Sequence, residues 1–98
     1  MKDTFDFPTF DDLQLGPYGG VDGCGCLCEK IVEVVRSAGL HVDRGYETIR
    51  TAVVRHLGGE AEYRRLVSGD CPNTLANRRK AYRALVKATE EVLGVKVR

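Results

Sequence analysis

The longest helical pattern in the chain is residues 72–93, PNTLANRRKAYRALVKATEEVL. Its larger apolar residues and one threonine fall within about 120° of one another on a helical wheel. These residues are Leu75, Tyr82, Leu85, Val86, Thr89, Val92 and Leu93. Pro72 suits the first helical position, where its missing N–H is not needed, and Gly94 follows the last apolar residue. We therefore predict one long amphipathic helix over 72–93.

Three shorter amphipathic patterns precede this helix. Residues 26–38, 44–57 and about 60–68 each repeat apolar residues at helical spacing, and Gly39, Gly58-Gly59 and Gly69 follow them. A chain of 98 residues suits a single domain. The sequence thus predicts an all-α fold, a compact bundle of about four helices over residues 26–98.

Residues 1–25 have a different composition and are predicted to form an irregular, Gly-rich acidic arm. Residues 1–22 hold one Lys and five Asp, a balance of −4, whereas the remainder holds 14 Lys or Arg against nine acids, a balance of +5. An acidic arm next to a basic domain is typical of proteins with a surface that binds nucleic acid. The alternative is that these charges are simply solvated surface residues.

Several classes of protein are disfavoured by the sequence. No apolar run approaches the roughly 18 residues that a membrane span needs. The start, MKDTFDF, lacks a basic region followed by an apolar stretch, so a cytoplasmic protein is expected. No acid, base and nucleophile come together in the sequence, so we do not expect an enzyme. The small core favours a homodimer.

The start of the long helix carries the most specific motif. Residues 69–78, GDCPNTLANR, resemble the turn and recognition helix of small phage-type helix-turn-helix regulators, especially excisionase-like proteins. The turn of those proteins reads Gly-Val-Ser-Pro, whereas this chain has Asp70 and Cys71 in the middle positions. The resemblance implies that polar residues at this end reach base edges in the major groove. Those residues are Asn73, Thr74, Asn77 and Arg78.

A basic face follows this motif on the same helix. Arg79, Lys80, Arg83 and Lys87 lie within about 100° on the wheel. They suit contacts with phosphates, which give affinity without sequence information. The first functional hypothesis is a small DNA-binding regulator of phage or prophage type, with helix 72–93 on double-stranded DNA. The alternative for the same pattern is a capped amphipathic helix with a solvated basic face.

A second likeness points in the same direction. Residues 46–59, YETIRTAVVRHLGG, are similar to the helix before the double glycine in the Mor family of phage middle-operon activators. That family continues into a short strand, whereas this chain continues with a helical pattern at Glu60.

A hypothesis of another class concerns the arm. Phe5, Phe7, Phe10 and Leu13 are apolar residues set among acids. Because aromatic residues are frequent anchors of protein interfaces, the chain is alternatively a small interaction module, such as a phage-encoded inhibitor or adaptor.

The four cysteines are candidate zinc ligands. Cys24, Cys26, Cys28 and Cys71 supply the four thiolates of a tetrahedral site, although zinc ligands usually come in C-x2-C pairs. The alternative is free thiols, with Cys28 packing as a small apolar residue. No other cofactor is predicted.

Overall fold

The computed structural model describes residues 7, 9–15, 27–40, 42–68 and 70–96, except for the side chains of 42 and 43. It contains four α-helices: α1 (Leu27–Ser37), α2 (Val42–Leu57), α3 (Glu60–Val67) and α4 (Leu75–Leu93). A short 3₁₀ turn, Phe10–Asp12, precedes them, and no strand occurs in the described residues. The prediction of an all-α bundle of about four helices is confirmed. The described helices include none that is long and apolar enough to cross a membrane.

Helices α2 and α4 form the most extensive packing in the bundle, and α1 and α3 pack mainly against α2. The face that α4 buries is made largely of small residues: Ala81, Ala84 and Ala88 are buried together with Leu85 and Thr89. The hydroxyl of Thr89 donates to the Leu85 carbonyl at 2.8 Å, so this buried polar group is satisfied.

The predicted apolar face of α4 is therefore partly wrong. Leu75 is 48% exposed, and Tyr82, Val86, Val92 and Leu93 are only half-buried. The prediction weighted large apolar residues, whereas three alanines make up much of the buried face. Leu85 and Thr89 of the predicted face are buried with them.

The beginning of α4 also differs from the prediction. The helix starts at Leu75 rather than at Pro72, because Thr74 is its N-cap residue. The Thr74 hydroxyl accepts a hydrogen bond from the backbone N–H of Asn77 at 3.2 Å. Gly94 ends the helix as predicted, in the left-handed conformation with φ of 67°.

The described part of the arm belongs to the core. Leu13 and Leu15 are fully buried, and Phe7 packs against the same cluster. The backbone N–H of Leu15 donates to the side-chain oxygen of Asn73 at 3.4 Å, which ties the arm to the segment before α4. The predicted Gly-rich linker lies outside the described residues.

Candidate nucleic-acid interface

A row of exposed cations follows one face of α4. Arg79, Arg83 and Lys87 recur at every fourth residue and all three are exposed. At about 1.5 Å per residue they span about 12 Å along the helix. Among the described residues, no carboxylate lies within ion-pair distance of any of them. We call these three residues the basic row.

Lys80, which the sequence grouped with this row, has an intramolecular partner. Its ammonium nitrogen lies 2.8 Å from an oxygen of Glu62 on α3. Arg65 contacts the same carboxylate at 2.6 Å. The hydrogen bonds from Arg65 and then from Lys80 lower the pKa of Glu62 to about 2. Lys80 therefore links α4 to α3 and shares the single carboxylate of Glu62 with Arg65.

The predicted base-reading residues before and at the start of α4 are also engaged within the chain. Asn73 accepts from the arm and Thr74 caps the helix. The amide nitrogen of Asn77 donates to the Pro72 carbonyl at 3.1 Å, and its oxygen accepts from Arg65 at 3.3 Å. Both ends of the Asn77 amide are therefore engaged, whereas Asn73 and Thr74 each use an oxygen as acceptor and keep donor hydrogens on an exposed side chain.

Arg78 lies under the arm rather than on the basic row. Its guanidinium carbon is 4.8 Å from the centre of the Phe10 ring, which is a cation–π contact. Its Nε is buried and has no hydrogen-bond partner among the described residues. Arg78 thus packs between the arm and α4 in the described structure.

The connection between α3 and α4 is longer than in the proteins that the motif resembles. It runs over residues 68–74, whereas a helix-turn-helix unit has a turn of about 3–4 residues. The polar contacts of Glu62 and Arg65 with the beginning of α4 join the two helices.

An open groove lies directly beside the basic row. It has a volume of about 400 Å³ and is lined by Phe10, Arg79, Tyr82, Arg83 and Val86. The rings of Phe10 and Tyr82 meet edge to face, with their centres 5.7 Å apart. Burial, followed by the nearby charge of Asp12, raises the pKa of the Tyr82 hydroxyl. Two aromatic rings and two guanidinium groups therefore share one surface, which we call the aromatic groove.

The sequence did not predict this groove. The sequence places Phe10 in the arm and Tyr82 on the apolar face of the long helix, and only tertiary contact brings the two rings together. The signal in the sequence was the position of Tyr82 and Val86 on the wheel, next to Arg79 and Arg83.

The residues proposed for partner binding have separate locations. Phe5 lies outside the described residues, and Phe7 and Phe10 both contact the ring of Tyr82. Leu13 is fully buried in the chain's own core, so its side chain is not on the surface that a partner would contact. The described part of the arm packs on the helices, because Leu13 and Leu15 complete the core.

The described cysteines have different neighbours. The Cys28 thiol lies 3.1 Å from the Tyr63 hydroxyl, while the Cys71 sulfur lies 3.7 Å from the amide nitrogen of Asn77. Cys24 and Cys26 are outside the described residues. Within the described part of the chain, no three His, Cys, Asp or Glu residues are grouped so that they could hold a metal ion.

Further polar contacts, which the sequence did not predict, connect α2 with α3 and with α4. The Arg50 guanidinium lies 4.5 Å from the centre of the Tyr63 ring and contacts Glu60 at 2.6 Å. Glu91 on α4 contacts both Arg55 and His56 on α2, each at 2.8 Å. These contacts join neighbouring helices. On α4, the exposed charged residues that have no partner among the described residues are those of the basic row.

Comparison of the chain with protein-family models, with curated proteins and with solved structures found no match.

Proposed function

We propose that this protein binds DNA through phosphate contacts made by Arg79, Arg83 and Lys87, and that it acts as a small regulatory protein. The observation that carries the proposal is the basic row itself: three exposed cations on one face of a long helix, with no carboxylate partner in the described residues. Cations that are not neutralised within the protein are free to replace the counterions condensed on DNA.

The mode of binding that these contacts support is electrostatic rather than sequence-reading. The Asn73 side chain accepts from the arm, Thr74 caps α4, and the Asn77 amide donates to the Pro72 carbonyl. Arginine and lysine side chains on a helix face supply the phosphate contacts that position a protein on a duplex. A homodimer, which the small size of the core favours, would place two such rows on one DNA molecule and double the number of contacts.

The test is fluorescence anisotropy with a labelled DNA duplex at low salt. The variant Arg79→Ala/Arg83→Ala/Lys87→Ala is expected to lose binding. A matched control is Arg36→Ala/Arg44→Ala/Lys96→Ala, which removes the same charge from exposed positions on α1, on α2 and after α4. The control is expected to retain most of the affinity. Equal losses in the two variants would indicate attraction by net charge alone and would contradict the proposed interface.

The second candidate function is a protein-interaction module. Because Leu13 is buried in the core, the surface proposed for the partner is no longer the whole arm. Two observations support this candidate. The aromatic groove has an apolar part, and Leu75, at the start of α4, is 48% exposed. If the protein fails to bind DNA at about 50 mM salt and low micromolar concentration, this surface becomes the first place to seek a protein partner.

A further inference from the structure

The aromatic groove adds a second kind of chemistry to the basic row. Binding of phosphates requires only cations, and the basic row would supply these cations. The groove beside them also presents the rings of Phe10 and Tyr82 and the side chain of Val86. Proteins that bind single-stranded nucleic acid combine these two elements, because cations follow the backbone and aromatic rings stack on the bases.

We infer that the aromatic groove holds an unpaired base of single-stranded nucleic acid, with Arg79 and Arg83 binding the adjoining phosphates. This inference rests on the proposed function and refines the substrate of the same site. A base inside a duplex is already stacked and paired, so it does not reach a groove on a protein surface. Only an unpaired strand presents both its phosphates and the faces of its bases.

The dimensions of the site suit this ligand. Arg79 and Arg83 are one helical turn apart, about 6 Å along the helix axis, and both line the groove. The groove volume of about 400 Å³ falls within the roughly 300–1,000 Å³ of ordinary small-ligand sites. A guanidinium group also stacks on planar bases, so the two arginines contribute to both contacts.

Charge alone predicts the opposite preference, which makes the inference testable. Double-stranded DNA releases about 0.9 counterions per neutralised phosphate and a single strand about 0.7. A protein that uses only its basic row would therefore bind a duplex at least as tightly as a single strand. Tighter binding of the single strand requires a contact with the bases.

The experiment compares four labelled probes by fluorescence anisotropy: single-stranded oligothymidine, single-stranded oligouridine, an abasic strand of equal length, and a DNA duplex. We expect the strands with bases to bind about tenfold more tightly than the abasic strand, since one base–aromatic stack contributes roughly this factor or more. The variants Phe10→Leu and Tyr82→Leu keep an apolar side chain and remove the ring. They are expected to lose this advantage, so that their affinities for the strands with bases and for the abasic strand become similar.

A second measurement guards against misfolding of these variants. The chain contains no tryptophan, so Phe10→Trp places the chain's one tryptophan in the groove, and Val95→Trp places it after the end of α4 as a control. Saturable quenching of the first reporter by oligothymidine, with little change for the second, is the expected result. Equal affinity for strands with and without bases, with duplex binding retained, would overturn the inference and leave the proposed function standing. Failure to bind any probe would overturn both.

Discussion

The substitution Leu13→Ala tests whether the arm is part of the folded domain. Leu13 is fully buried although it lies in a segment whose composition predicts an irregular arm. Replacing a fully buried leucine by alanine costs roughly 2–5 kcal/mol, because apolar contacts are lost and a cavity remains. The total free energy of unfolding of a domain is only about 5–15 kcal/mol. A loss of about 3 kcal/mol would lower the melting temperature by roughly 12–24 °C in a domain of this size.

Urea unfolding followed by far-ultraviolet circular dichroism measures this loss directly. The control is Leu75→Ala, because Leu75 is a leucine of the same chain that is 48% exposed. A surface substitution of this kind usually changes the free energy of unfolding by less than about 0.5 kcal/mol. If Leu13→Ala and Leu75→Ala are equally mild, the arm is not docked in the core, and the geometry of the aromatic groove, which includes Phe10, loses its support.

Three further predictions concern the framework of the interface. Thr74→Ala removes the N-cap of α4 and should cost about 1 kcal/mol in urea unfolding; an unchanged midpoint would contradict the cap. At an uncrowded helical position, replacing glycine by alanine stabilises a protein. Gly45→Ala should instead destabilise this protein by about 1–3 kcal/mol, because the new Cβ would lie 2.7 Å from Val35. A rise in melting temperature would refute this packing. Glu62 has its pKa lowered from 4.5 to about 2, so its stabilising contribution is present above pH about 4.5 and is lost as the pH falls toward 2. Glu62→Gln should therefore flatten this part of the stability curve, and an unaltered acid profile would count against the contacts with Arg65 and Lys80.

The fold could be predicted from the sequence because helix-period patterns and glycine terminators are local signals. All four helices occur where these signals place them, within about three residues at each end. The errors arose where a competing local contact decides the boundary. The sequence places Pro72 at the first helical position of α4, whereas the helix begins at Leu75 because Thr74 is its N-cap residue.

The candidate site could be predicted only in part, because its composition depends on contacts between distant residues. Arg79, Arg83 and Lys87 are exposed on one face, as the helical wheel indicates. Their neighbour Lys80 is paired with Glu62, which is 18 residues away in sequence. Asn73 is held by Leu15, 58 residues away, and no local pattern reports such a partner.

The most direct test of the central claim is the salt dependence of duplex binding by the unmodified protein and by the variant that lacks the basic row. Three phosphate contacts predict a slope of about −2.7 for the logarithm of the binding constant against the logarithm of salt concentration, or about a 40-fold loss between 50 and 200 mM salt. We predict this slope for the unmodified protein as a monomer, and no measurable binding even at about 50 mM salt for Arg79→Ala/Arg83→Ala/Lys87→Ala. Unchanged affinity and slope in that variant would show that the face of α4 is not the surface that binds DNA.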